Sequence, residues 1–336
     1  YGGLDSMKLR WFAWCAAVAG LTVLTGLSWG MTGADASRDQ MIYTTNSDSD
    51  SVSIIDRKTR KVVRTFPVGD YPHHVLHSPD GKFLYVGNTH SDSLTVVDIK
   101  THKPVRVIPD ILDPYSFILD PARKFMVVSG TRKGFVEVYD ARTFKKLHRI
   151  WTGREPNHMI FSRDGTLFLV TNERSRTVSA IDTATWKLKK QITVGARPVD
   201  IILSPDGKEV FVALYGEGKV AVLDIETLEV KEKIATGKGA HGLALSSDGK
   251  RLFVANRNAD TISIVDPVSR AVLGKIRIPG GPDMMSATPD GRELWVTSRY
   301  RNYIHVLDAG NLKILVRVRT GRAPHGVTFS WASANH

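Results

Sequence analysis

Residues 195–236 read GARPVDIILSPDGKEVFVALYGEGKVAVLDIETLEVKEKIAT and contain the repeating unit of this chain in its clearest form. Its apolar runs predict an inner strand at Val199–Leu203, a second at Glu209–Leu214, a third that ends at Asp224 and a fourth at Val230–Ala235. A Ser-Pro-Asp-Gly turn, a Gly-rich loop and a polar turn separate them, and these residues favour tight turns. The unit is therefore predicted to be four short strands in succession.

Three landmarks of this unit recur at intervals of 42 residues. The residue before the inner strand is Pro72, Pro114, Pro156, Pro198, Ala240, Pro282 and Pro324. The first turn is marked by Pro79, Pro121, Arg163, Pro205, Ser247 and Pro289. The aspartate that closes the third strand is Asp56, Asp98, Asp140, Asp182, Asp224, Asp266 and Asp308. Four short strands in a repeat of about 40–45 residues are the signature of a β-propeller blade.

The number of repeats predicts how the ring closes. The third-strand aspartate occurs seven times, but the first repeat begins at its second strand, Met41–Thr45, and the chain ends with a further inner strand, His325–Ser330. The C-terminal strand therefore completes blade one, which removes the open sheet edges at the junction. The predicted fold is all-β, a seven-bladed propeller of four-stranded blades, and residues 37–336 form this single domain.

The first 36 residues have a different character. Met7-Lys8-Leu9-Arg10 precedes an apolar run from Trp11 to about Met31, and Ala34-Asp35-Ala36 follows. This order predicts an export signal peptide that is cleaved near Ala36, with residues 1–6 as an upstream scar. The alternative is an uncleaved anchor, because the run approaches 20 residues. After cleavage the protein is expected to be a periplasmic monomer without stable membrane insertion.

The amino-acid composition limits the partners and the kinds of site that the protein can have. The 336 residues include 46 basic and 34 acidic side chains, a formal charge of +12, which favours anionic partners. The only cysteine, Cys15, lies in the predicted signal peptide. Disulfides, thiolate metal sites and a cysteine nucleophile are therefore excluded from residues 37–336.

The second strands carry a family motif. Phe168–Asn172, Leu84–Asn88 and Leu252–Asn256 resemble the "YVTN" repeat, and a third strand of the Val-Ser-Ile-Ile-Asp type follows it. Over residues 41–330 the chain resembles exported YncE-like β-propellers. This resemblance implies a periplasmic binding module, and single-stranded DNA binding has been attributed to a relative.

The two residues after each landmark carry the strongest candidate site. Superposing the repeats predicts that seven side chains meet at one mouth of the central channel: His73, His74, His158, His241, His325, Asp200 and Asp283. Imidazole and carboxylate ligands suit zinc, copper, iron or nickel, so we predict a transition-metal site, with zinc, copper or iron as the expected ions. The alternative is that these histidines only cap the inner strands.

Basic and aromatic residues lie in the loops predicted on the same face. The candidates for binding an anionic ligand or a nucleic acid are Arg154, Arg174, Arg176, Arg197, Lys238, Arg257, Arg299, Tyr300, Arg301 and Arg322. Charge combined with stacking suits single-stranded nucleic acid. A solvated basic surface is the alternative, because the opposite face is basic too.

These features leave three functions open. We favour a non-catalytic periplasmic binding or scaffold protein that holds a metal ion, an anionic ligand or a protein partner at the channel mouth. Short loops without insertions leave no lid or second domain to enclose a deep pocket, which supports this choice. The alternatives are a copper- or iron-dependent oxidoreductase and a propeller that binds single-stranded nucleic acid. No catalytic residue is assigned.

Overall fold

The computed structural model describes residues 40–330, in which 28 strands form seven four-stranded antiparallel sheets. The predicted all-β propeller with seven blades is confirmed. The predicted signal peptide lies outside the described residues, as do residues 331–336. Within residues 40–330 no helix is long and apolar enough to cross a membrane, and the only helical segments there are two 3₁₀ turns, Ser47–Ser49 and Arg257–Ala259.

The strands occupy equivalent positions in every blade. The innermost strands of blades 1 to 7 are β28 (Pro324–Phe329), β4 (Pro72–His77), β8 (Ser116–Leu119), β12 (Pro156–Phe161), β16 (Pro198–Leu203), β20 (Ala240–Leu245) and β24 (Pro282–Ala287). The second strands are β1 (Met41–Asn46), β5 (Phe83–Asn88), β9 (Phe125–Gly130), β13 (Leu167–Asn172), β17 (Glu209–Leu214), β21 (Leu252–Asn256) and β25 (Glu293–Ser298). The third strands are β2 (Ser51–Asp56), β6 (Ser93–Asp98), β10 (Phe135–Asp140), β14 (Thr177–Asp182), β18 (Lys219–Asp224), β22 (Thr261–Val265) and β26 (Tyr303–Asp308). The outermost strands are β3 (Lys61–Pro67), β7 (Lys103–Ile108), β11 (Lys146–Trp151), β15 (Lys187–Thr193), β19 (Val230–Ala235), β23 (Val272–Arg277) and β27 (Ile314–Arg319).

The C-terminal strand closes the ring as the sequence predicts. β28 pairs antiparallel with β1, with Ile42 opposite Phe329, and these two side chains pack with Trp295 of blade 7. Arg57 of blade 1 adds an ion pair across the same junction, with its Nε 2.9 Å from Glu293 Oε2. Each innermost strand lies against the innermost strands of the two neighbouring blades, so the channel wall is continuous.

The asparagine of the sequence motif cross-links each blade internally. Asn172 at the end of β13 donates from Nδ2 to Thr177 Oγ1 at 3.2 Å and to Ser179 Oγ at 2.9 Å. Asn46, Asn88 and Asn256 make the equivalent pairs of bonds. The preceding blade supplies a glycine that packs on this amide, because a Cβ at Gly153 would lie 2.9 Å from Asn172 Cγ. The asparagine of the motif therefore makes buried structural hydrogen bonds and does not mark a ligand site.

Replacing one of these asparagines tests that role. We expect Asn256→Ala to lower the free energy of unfolding by about 1–3 kcal/mol, because two buried hydrogen bonds are lost. Urea unfolding followed by circular dichroism measures the change. Asn258→Ala, an exposed position in the adjacent loop, is the matched control; it removes only the exposed hydrogen bond from the Tyr215 hydroxyl and should lower stability less than Asn256→Ala does. An equal effect of both substitutions would contradict the assignment.

Candidate functional site

The site is built on a β-bulge that recurs directly after the landmark residue. In β4 the pairing with β5 jumps from Pro72 to Val75, so His73 and His74 fall outside the regular ladder. The pairings of β12, β16, β20, β24 and β28 with their second strands shift at the equivalent place. A bulge redirects the side chains that it releases, which brings the two residues after the landmark together at the channel.

Hydroxyl groups of the second strands fix the bulged backbone. Thr171 Oγ1 lies 3.1 Å from His158 O in its own blade and 2.9 Å from Val199 O in the next blade, so its single hydroxyl proton is donated to one of these carbonyl groups or shared between them. Thr45 Oγ1 donates to His73 O at 2.8 Å. A Cβ at Gly326 would lie 2.8 Å from that same carbonyl oxygen, so this bulge requires glycine. The bulges are therefore held rigidly, as a preorganised site needs.

The imidazoles of His73 and His325 are each oriented by a carbonyl oxygen one blade further around the ring. His73 Nδ1 lies 3.0 Å from Tyr115 O, and His325 Nδ1 lies 3.2 Å from His73 O. A carbonyl oxygen can only accept a hydrogen bond, so the proton of each neutral ring is on Nδ1. The lone pair of Nε2 is therefore free on both histidines.

A carboxylate plays the same part for His158, whereas the carboxylate beside His241 makes no hydrogen bond with His241 Nδ1. Asp200 Oδ1 lies 2.6 Å from His158 Nδ1, and Asp283 Oδ1 lies 3.0 Å from His241 Nδ1. The two rings differ at Nε2, because His241 Nε2 accepts from Arg257 Nη2 at 2.6 Å. The Nε2 lone pair of His241 therefore accepts a hydrogen bond from an arginine, whereas the Nε2 lone pair of His158 points at another imidazole.

That imidazole belongs to His74. Its Nε2 lies 3.1 Å from His158 Nε2, so two ring nitrogens meet at a distance that one shared proton can bridge. On its other side His74 joins His73 and His325, and one ligand nitrogen from each of these three rings lies within 4.8 Å of the others. This histidine cluster (His73, His74 and His325) is the most compact group of metal-ligating side chains within residues 40–330.

Two buried acceptors beside the cluster lack a donor. His325 Nε2 and Asp283 Oδ2 are shielded from solvent and have no hydrogen-bond partner among the described residues, and they lie 3.8 Å apart. Two ligand atoms that each bind a transition metal at about 2.0–2.2 Å are separated by about 3–4 Å. The arrangement therefore fits a cation between the two atoms.

Burial sets the charge state of the histidines. It lowers the pKa of His73 and His325 well below the usual value, and the neighbouring imidazoles and Arg299 lower both pKa values further. Burial and the His158 ring lower the pKa of His74 to about 3. The cluster is therefore neutral at physiological pH, which is the form of imidazole that binds metals.

The predicted ligand residues separate into two groups. His73, His74 and His325 lie together, and Asp283 directs one oxygen towards them. Asp200 lies outside this group, because its Oδ2 accepts the backbone N–H of Leu243 at 2.8 Å while its Oδ1 holds His158. Asp200 therefore positions an imidazole instead of facing the cluster.

Two of the predicted surface arginines lie in the channel. The side chains of Arg257 and Arg299 are 15 % and 14 % exposed, and both point at Asp283. Sequence reasoning also missed Tyr71, whose hydroxyl accepts from Arg299 Nη2 at 2.6 Å and whose ring stacks near His73. Its position directly before a landmark proline was the available signal.

The other predicted basic residues are on the surface, and several are engaged. Arg174 pairs with Glu155 at 2.7 Å, Arg197 pairs with Glu173 at 2.6 Å, and Arg322 donates to Asp48 O. Arg154, Arg176, Lys238 and Arg301 have no side-chain hydrogen bond or ion pair with residues 40–330, and Tyr300 is exposed. Arg197 and Lys238 line a cleft of about 500 Å³ beside Tyr215. The basic residues therefore form scattered groups instead of one continuous track.

These observations define the class of protein: a seven-bladed β-propeller with a buried imidazole–carboxylate cluster at one end of its channel. A family model described as "YNCE-like beta-propeller" matches residues 7–334. The chain belongs to this family of YncE-like β-propellers, as the resemblance of its second strands indicates.

Solved structures share the fold at low sequence identity. Hydrazine synthase of Kuenenia stuttgartiensis is 22% identical, with a TM-score of 0.66 over 79% of this chain and 96% of that chain. The dihydro-heme d1 dehydrogenase NirN is 17% identical, with a TM-score of 0.66 over 86% of this chain and 74% of that chain. A protein of unknown function from Desulfotomaculum acetoxidans is 15% identical, with a TM-score of 0.76 over 86% and 98%. At these identities the likeness concerns the fold alone, and no curated protein matches the chain.

Proposed function

We propose that this protein is a periplasmic binding protein that holds one transition-metal ion, zinc, copper or iron, at the end of its channel. The observation that carries the proposal is the pair of buried, unpartnered acceptors, His325 Nε2 and Asp283 Oδ2, beside the His73 and His74 imidazoles. Leaving such atoms without a donor costs free energy, and a cation removes that cost.

The donor set agrees with this choice of ions. His73 and His325 would bind through Nε2, His74 through the ring nitrogen that does not face His158, and Asp283 through Oδ2, a combination of nitrogen and oxygen ligands that suits zinc, copper and iron. The carbonyl groups that accept from Nδ1 of His73 and His325 supply the second shell that metal-bound imidazoles need. His158 is the nearest additional donor, since its Nε2 already meets His74.

Burial favours a binding or scaffold role. His73 is 2 % exposed and His325 is fully buried, so only an ion or a very small molecule reaches these nitrogens. The pairing of Arg174, Arg197 and Arg322 with groups of the protein itself argues against a nucleic-acid track on this face. An oxidoreductase role would need turnover by the metal-loaded protein, which the following experiment includes.

Metal content tests the proposal. The full chain, exported to the periplasm and purified without a polyhistidine tag, should contain about one zinc, copper or iron ion per molecule by plasma mass spectrometry. The double variant His74→Ala/His325→Ala should retain less than about a tenth of this metal, because loss of two imidazoles leaves too few ligands. His148→Ala, on the exposed outer strand β11, is the matched control and should keep full occupancy.

Thermal melting separates loss of metal from loss of fold, since the double variant should still unfold cooperatively. Metal-free parent protein that also fails to bind added zinc after chelator treatment would refute the proposal. Equal metal in the parent and the double variant would refute this site. Redox turnover by the loaded parent alone would replace the binding role by catalysis.

A further inference from the structure

The metal site has a positively charged neighbour that the proposed function does not explain. Building on that site, we infer that a small anion, a carboxylate or an inorganic oxyanion, binds between Arg257 and Arg299 beside the histidine cluster. The protein would then hold an ion pair, with the cation on the imidazoles and the anion on the guanidinium groups.

The charge balance of this region supports an anion. Arg257 Nη2 contacts Asp283 Oδ1, while Arg299 Nη1 lies 3.6 Å from Asp283 Oδ2. Two buried guanidinium groups therefore share one carboxylate. The other nearby carboxylate, Asp200, is bound to His158 Nδ1 and to the Leu243 N–H instead of to either arginine. A metal cation on the histidine cluster would add further positive charge.

Unused donors point to the same conclusion. Arg257 Nε and Arg299 Nη1 are shielded from solvent and have no hydrogen-bond acceptor among the described residues. The 3.6 Å separation of Arg299 from Asp283 is longer than a hydrogen bond. A buried N–H of a charged group without an acceptor is costly, so these two nitrogens indicate where an anionic oxygen would be stabilised.

The two arginines are held in place by aromatic rings. Arg299 donates to the Tyr71 hydroxyl at 2.6 Å, and its guanidinium lies 5.9 Å from the centre of the Tyr71 ring. The Arg257 guanidinium lies 5.8 Å from the centre of the Tyr215 ring. Such contacts orient a guanidinium and reduce the entropy lost on binding. The fork-shaped donor geometry matches the two oxygens of a carboxylate or an oxyanion.

Calorimetric titration tests the inference on the full chain after removal of metal with a chelator. Acetate and inorganic phosphate are the probes, titrated separately in a buffer free of other small carboxylates and phosphates. We expect saturable one-to-one binding of at least one probe. Arg299→Gln should weaken it about tenfold or more, because a charged hydrogen-bond donor is lost.

Two further variants sharpen the test. Arg299→Lys keeps the charge without the fork and should give an intermediate loss of affinity. Arg301→Gln removes an exposed arginine of the same loop that has no partner among the described residues, and it should leave the affinity unchanged. Thermal melting shows that each variant is folded.

Each outcome decides the question. Acetate binding alone identifies a carboxylate ligand, and phosphate binding alone identifies an inorganic oxyanion. Binding of neither probe, or an equal loss in Arg299→Gln and Arg301→Gln, overturns the inference. Because the titration uses metal-free protein, anion binding without metal occupancy would refute the metal proposal alone, and the reverse result would refute the anion site alone.

Discussion

Deletion of residues 324–336 should abolish the soluble, cooperatively folded protein. The deletion removes β28, the inner strand of blade 1, and so breaks the ring of innermost strands on both sides. It exposes the edge of β1 and uncovers Ile42 and Trp295, which are fully buried beside Phe329 in the native structure. An open apolar sheet edge promotes aggregation. Solubility, circular dichroism and thermal melting measure the effect.

A shorter deletion and one substitution serve as comparisons for the longer deletion. Removing residues 331–336 keeps every strand pair of β28 and should leave soluble protein with a cooperative transition. Phe329→Ala keeps the strand but opens a cavity, and should lower the free energy of unfolding by about 3–5 kcal/mol. A soluble product of the longer deletion that melts cooperatively would contradict ring closure by the C-terminal strand.

We also expect the protein to lose much of its folding stability in acid. The pKa values of six histidines are lowered below the usual value of about 6.5, mainly by burial: those of His73, His241 and His325 well below it, that of His74 to about 3, and those of His77 and His305 to about 4. As the pH falls below about 6.5, the unfolded chain therefore binds protons that the native protein does not bind. Stability is thus complete above pH 6.5 and is lost progressively towards the native pKa values.

The size of this loss can be measured in chelator-containing buffer. Lowering the pH from 7.5 to 5.5 should cost about 1.4 kcal/mol for each such histidine, or roughly 8 kcal/mol for all six. Urea unfolding at each pH gives the free energy of unfolding. His325→Gln should reduce the pH-dependent loss by about a sixth, whatever its stability at pH 7.5, and His148→Gln should leave it unchanged. Stability that does not vary between pH 7.5 and 5.5 would mean that these imidazoles are not buried as neutral groups.

The sequence alone determined the blades, their number and their closure. A 42-residue period without insertions fixes the position of every strand relative to its neighbours. Burial of the second and third strands then stabilises the blades against one another. The bounds of Glu209–Leu214 and Val230–Ala235 agree with the structure, and β28 begins one residue earlier than predicted, at Pro324. The period also indicated which histidines share one level of the ring, because equivalent positions in a closed repeat lie at the same height.

The hydrogen-bond partners of those histidines, and so their free nitrogens, depend on the tertiary structure. Whether a nitrogen is free depends on atoms from other strands and loops, such as Tyr115 O of the next blade for His73 and Arg257 of its own blade for His241, and no spacing along the chain encodes these contacts. The bulges that release His73 and His74 appear only in the strand pairing. From its position in a loop, Arg257 was predicted to lie among the surface cations. In the structure its side chain points inward and contacts Asp283. The physical reason is that repeat periodicity fixes backbone positions, whereas protonation and pairing depend on side-chain distances of a few ångströms across the channel.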